Sequence, residues 1–237
     1  MPLLSLLLSA TLLAAATTVP SLTPLEQRWL QGLWPVVAHA RERLGLPLDI
    51  VVQPQSAAGA APLALGFVAG RCKLVLTLRD NPEAAASLAR IPAPLQDGAL
   101  ELMAAHELGH CRRWLDGVWQ AAPAGFAAPR VPEALSAELQ AGYRAMRIAR
   151  REEAYGDLVG LAWVQRQRPQ QYAALHQWLR GERERELQPG SHHDTRAWLR
   201  LAADPARLAG GDSTIFAAAA PLWAAGLAHE DDDEEEN

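Results

Sequence analysis

The segment from residue 97 to 116 constrains this chain more than any other. Asp97-Gly98-Ala99-Leu100-Glu101-Leu102-Met103-Ala104-Ala105-His106-Glu107-Leu108-Gly109-His110 is built from strong helix formers and stops near Gly117, so a helix is expected with Asp97 as its N-cap. At 3.6 residues per turn, His106 and His110 fall one turn apart on one face. Leu100, Met103, Leu108 and Trp114 distribute apolar bulk around several sides, which is the pattern of a buried helix. Two imidazoles and a carboxylate inside a core need partners, so the rest of the chain must supply them.

The elements around this helix point to an α+β class. Leu25, Trp29, Leu33, Val36 and Val37 recur at helical spacing between Thr23 and Leu44, interrupted by Pro35 and ended by Gly45. Three short aliphatic runs follow, 48–53, 63–68 and 72–78, and the last two flank Ala69-Gly70-Arg71 as a hairpin would. Beyond Asp80 only helices are expected, over 133–167, 169–186, 191–203 and 213–226 as well as 97–116. The expected architecture is mostly helical, with a small N-terminal hairpin or sheet beside the histidine-bearing helix. Between helices, 117–132 carries Trp119 and Phe126 in a Gly- and Pro-rich stretch, which suits either a lid over a cleft or a loop that packs its aromatics. The Glu-Arg alternation in 181–190 reads as a solvated connector.

Residues 3–16 are apolar but too short to span a bilayer. With Ala14-Ala15-Ala16 they have the length and small-residue end of a secretion signal, although no Lys or Arg precedes them. Residues 1–20 are therefore expected to be a signal peptide, the product exported, periplasmic or secreted, with no stable membrane span afterwards. Of the acidic residues behind the net charge of −5, seven lie in 230–236, so the body carries a small positive balance and lacks the basic field of a nucleic-acid binder. Residues 229–237 are expected to be a disordered acidic tail and 21–228 a single domain. Cys72 and Cys111 are the two cysteines; in an oxidising compartment they would pair, otherwise they would be small core residues.

Two neutral imidazoles at i and i+4 suit Zn²⁺ as ligands, and the intervening Glu107 is turned about 100° away, placed to act as a general base toward water. A catalytic site needs a third ligand and an open position. Glu153 and Asp157 share one face of a second helix, so Glu153 could bind the ion while Asp157 accepts the outer N–H of a ligand histidine. A Glu/Arg surface lattice is the alternative, since Arg147, Arg150 and Arg151 are near. Ser191 and Asp194 read as a helix N-cap pair, which puts His192 and His193 at the first helical positions, where neutral imidazole is favoured.

His-Glu-x-x-His followed by Glu153-x-x-x-Asp157 and Gly160 resembles the gluzincin metallopeptidases, and within them the CaaX prenyl proteases, the HtpX-like heat-shock proteases and their soluble exported relatives. Gly156 stands where that branch has Ala, and Asp194 where it has a Pro after His193. The resemblance implies a zincin-like fold and peptide-bond hydrolysis of a protein or peptide substrate. Zn²⁺ would sit on His106, His110 and Glu153, with Glu107 as base and His193 near the reacting carbonyl. The strand at 72–78 would be the edge to which a substrate adds. The competing expectations are an inactive or latent fold of this kind that binds envelope proteins, and a helical protein whose His-Glu-x-x-His is accidental.

Overall fold

The computed structural model describes residues 21–55, 57, 59–126, 129, 131–132, 134–185, 191–211 and 213–230. The expected leader at 1–20 and the acidic residues 231–237 lie outside them. Among the described residues no helix is long and apolar enough to cross a membrane. Helices dominate and one three-stranded sheet accompanies them, so the α+β expectation holds.

Helix α1, Pro24–Glu42, starts at a capping box in which Thr23 and Glu26 exchange side-chain and backbone hydrogen bonds, with Pro24 in the first turn. Pro35 does not interrupt it; the ring sits on the exposed face while Trp29, Leu33, Val36 and Val37 are buried. Strands β1 (Leu48–Pro54), β2 (Leu63–Val68) and β3 (Arg71–Arg79) form a sheet of order β1-β3-β2, parallel between β1 and β3 and antiparallel between β2 and β3. Ala69 and Gly70 both have positive φ, the backbone of a tight two-residue hairpin turn. Strand β3 is thus central and paired on both sides, which corrects its expected role as an open edge. The free edge beside the histidine helix belongs to β2. A helix that the sequence reading left out, α2 (Pro82–Arg90), follows, capped by the Asn81 side chain on Glu83 N–H.

Helix α3, Gln96–Leu115, is the expected histidine-bearing element, but Asp97 is not its cap. A short 3₁₀ turn at Ala93–Leu95 leads into it, and Asp97 instead pairs with Arg28 of α1 at 2.8 Å. Cys72 of β3 and Cys111 of α3 form a disulfide, which ties the sheet to this helix across 39 residues of sequence. Closing a loop of that size in the unfolded chain is worth about 4 kcal/mol on the chain-entropy estimate.

Helix α4, Ala137–Gln167, begins at Ser136, whose hydroxyl accepts the Leu139 N–H, and packs along α3. Arg147, Arg150 and Arg151 on it are buried, not part of a surface lattice. Helices α5 (Tyr172–Arg185), α6 (Arg196–Leu201) and α7 (Ile215–Leu227) complete the fold. Helix α6 starts later than expected, so His192 and His193 lie in the turn before it and not at its first positions. After α7 the chain buries Glu230 against Arg151, whose Nε donates to both carboxylate oxygens at 3.0 and 3.1 Å. The acidic stretch therefore begins as folded structure at 229–230, contrary to the expected disordered tail at those two residues.

Candidate metal centre

The crossing of α3 and α4 brings the candidate ligands together, and glycine makes the crossing possible. A Cβ on Gly156 would stand 2.7 Å from ring atoms of His106, and one on Gly109 would stand 3.2 Å from the Gly156 Cα. Two helices presenting only hydrogen at these points can approach until ligands from both reach a common centre. Gly156 is thus a packing requirement of this crossing.

His106 Nε2 and His110 Nε2 are 3.0 Å apart. Glu153 places Oε2 3.4 Å from the former and Oε1 3.5 Å from the latter. Four donors arranged tetrahedrally around an ion at 2.0–2.1 Å would be about 3.3 Å from one another. The three side chains therefore have the chemistry and spacing of a set that could hold a metal ion, and they group together as such.

Asp157 lies one turn beyond Glu153 and is fully buried. His106 Nδ1 donates to its Oδ1 at 3.0 Å, which turns the Nε2 edge of the ring toward His110 and Glu153. Arg183 donates to both carboxylate oxygens, at 3.0 and 2.6 Å, and the Thr195 hydroxyl donates to Oδ2 at 2.7 Å. Burial pushes the Asp157 pKa up, but the Arg183 charge and the His106 hydrogen bond outweigh it and hold the group well below the usual carboxylate range. Arg183 escaped the sequence reading because it sits in the Glu-Arg alternation of 181–190. Its placement follows from α5 continuing to Arg185, so that its last turn reaches the site.

Burial lowers the affinity of His106 for a proton, yet Asp157 and Glu153 overcome that and raise its pKa to about 10 without an ion present. Glu153 is opposed by burial and held well below its ordinary range by the two histidines. Glu107 lines the cleft beside them without joining the donor set. Burial, with Glu153 adding to it, raises its pKa despite the nearby histidines and Arg183, which suits a proton acceptor. His193 faces the same cleft, with Nε2 3.7 Å from Glu153 Oε2 and its side chain 56% exposed. Burial and then Arg183 lower its pKa, so it is an uncharged imidazole near neutral pH.

The cleft has two arms that share Leu63, His106, Glu107, Glu153 and His193. One arm continues past Ile91, Leu102, Met103, Trp178 and Leu179. The other continues between β2 and Trp114 and Trp119. In the stretch expected to be either a lid or a packed loop, the start is held down. Arg113 donates to the carbonyls of Val118 and Ala121, and Glu152 accepts from Gln120 N–H. Trp119 there stacks on Trp114 at 5.3 Å. Comparison with protein-family models, curated proteins and solved structures gives no match for this chain.

Proposed function

We propose that this chain is a zinc-dependent metallopeptidase of the gluzincin type. The observation that carries the reading is the grouping of His106, His110 and Glu153, the two Nε2 atoms 3.0 Å apart with Glu153 Oε2 3.4 Å from the first and Oε1 3.5 Å from the second, beside a cleft-facing Glu107 of raised pKa. When bound there, Zn²⁺ would supply Lewis-acid polarisation of a carbonyl and a lowered pKa for water.

The residues of the chain do the rest. Asp157, fixed by Arg183 and Thr195, holds His106 in the tautomer whose Nε2 carries a lone pair. Glu107 takes a proton from the attacking water and returns it to the leaving amine. His193, neutral and across the cleft, offers a hydrogen bond to the oxygen on which negative charge develops.

An extended peptide is the substrate best suited to the edge of β2. The two-residue turn makes Val68 and Arg71 the closing pair, and the Thr77 N–H reaches Pro62 O at 3.0 Å. Alternation then directs the backbone groups of Leu63, Leu65 and Phe67 away from β3. Those three residues line the cleft. Leu65→Pro removes one outward N–H without breaking a ladder bond, and should reduce cleavage of long peptides; unchanged kinetics would dismiss strand addition. Leu76→Pro would not serve, because Leu76 is buried in the central strand.

The deciding experiment pairs zinc analysis with Glu107→Gln. The parent should bind one zinc and hydrolyse peptides, and the variant should keep the zinc and lose hydrolysis. A parent without metal, or a variant as active as the parent, would end this reading.

A further inference from the structure

The cleft arm beyond His110 carries a feature that the chemistry of bond cleavage does not require. Phe67 stacks on Trp114 with centroids 5.1 Å apart and planes 13° from parallel, and Trp114 stacks on Trp119 at 5.3 Å and 16°. Trp119 in turn meets the His110 ring at right angles, 5.3 Å away. Trp114 remains 39% exposed. Large apolar surface left open to water at the rim of a cleft is characteristic of a binding surface.

These rings are held from three directions. Phe67 is opposite Cys72 in the β2–β3 register, and Cys72 is bonded to Cys111, less than one turn before Trp114 on α3. The loop carrying Trp119 is fixed by Arg113 and Glu152, a buried pair at 2.6 Å. The wall is thus built in advance of any ligand, so little ordering is needed when one arrives.

We infer that this arm is the subsite for an aromatic side chain of the peptide substrate, adjacent to the bond that is cut, with Trp119 as the specificity-determining residue. The inference rests on the metallopeptidase reading. A peptide strand paired with the outward groups of Leu63, Leu65 and Phe67 directs every second side chain to one face of the sheet, and Phe67 and Trp114 stack there. An aromatic ring entering beside them gains edge-to-face or offset contact, where a methyl group gains little.

The test compares N-acetyl-phenylalanine hydroxamate with N-acetyl-alanine hydroxamate, both of which chelate the ion, by titration calorimetry on zinc-loaded protein. The phenylalanine compound should bind on the order of tenfold more tightly or better. Trp119→Ala should bring the ratio of the two affinities close to one, and Trp119→Phe should preserve most of it. Equal binding of both compounds by the zinc-loaded parent, or a ratio untouched in Trp119→Ala, would overturn the selectivity and leave the metallopeptidase reading standing. A parent that takes up no zinc would overturn both.

Discussion

Glu152 and Glu153 follow one another on α4, yet their surroundings differ in kind. Glu152 receives Arg113 Nε at 2.6 Å and the Gln120 N–H at 2.8 Å, and the Arg113 guanidinium lies 4.4 Å over the Trp223 ring. Each of its oxygens has a permanent partner. Glu153 has Arg183 no nearer than 3.5 Å and faces the imidazoles of His106, His110 and His193 across 3.4, 3.5 and 3.7 Å. One carboxylate is neutralised by a hydrogen-bonded guanidinium, while its neighbour belongs to a group of side chains that could hold an ion. The lesson is that adjacent acids on one helix are told apart by their partners, a fixed guanidinium for one and imidazoles whose charge depends on pH for the other. Position on the helix does not separate the two roles.

The contrast can be broken most completely at Glu153. Glu153→Ala should abolish stoichiometric zinc uptake while the protein stays folded, as read by metal analysis and circular dichroism together. Retention of tight zinc would move the third ligand elsewhere. Glu152→Ala should do the reverse: it strands Arg113 in the core, costs about 3–5 kcal/mol in denaturant unfolding, and leaves zinc stoichiometry intact below the transition. Equal stability of this variant and the parent would show the pair to be dispensable.

A smaller effect is expected where the two helices touch. Gly156→Ala introduces a methyl 2.7 Å from His106, and overpacking of this type costs about 1–3 kcal/mol. The cost should appear as zinc affinity roughly tenfold or more below the parent in a chelator competition, since one pKa unit or tenfold is about 1.4 kcal/mol. An unaltered affinity would mean that the helices yield without disturbing the ring.

The mildest test is pH. In the metal-free protein His106 titrates near 10, so its charged form contributes stability that is complete below about 6.5 and lost as pH rises through about 10. Zinc needs that ring neutral, so uptake at pH 8 should release the His106 proton, and apparent affinity should rise up to about tenfold per pH unit from this group. Calorimetry in buffers of differing ionisation enthalpy measures the release. No proton released would contradict the direction of the shift.

Much of this site can be read from residue spacing alone. His106, Glu107 and His110 share one helix, and Glu153 and Asp157 another, so the faces follow from periodicity. What periodicity cannot express is how elements meet. Strand β3 reads like an edge because its neighbour in sequence is β2, while the parallel pairing of β1 on its other side joins strands that are not consecutive in the chain. Arg183 looks like a solvated charge because alternation with glutamate hides the one guanidinium that turns inward. Asn81-Pro82, a capping side chain followed by Pro in the first turn, is the signal in the sequence for α2. The arginines of α4 are long enough to look like surface residues, and only the folded chain shows that Arg150 ends on the Asp194 backbone at 2.5 Å.

The contact of Gly109 with Gly156 has a consequence for how such a protein can change over time. The loops and the free edge of β2 stand outside the crossing of the two helical rods, whereas His106 and Glu153 belong to the rods themselves. A single added carbon at the crossing acts as a shim, and its thickness is passed to the spacing of His106, His110 and Glu153. The close approach of these helices is therefore guarded by positions that possess no functional group at all, Gly160 against Leu102 among them.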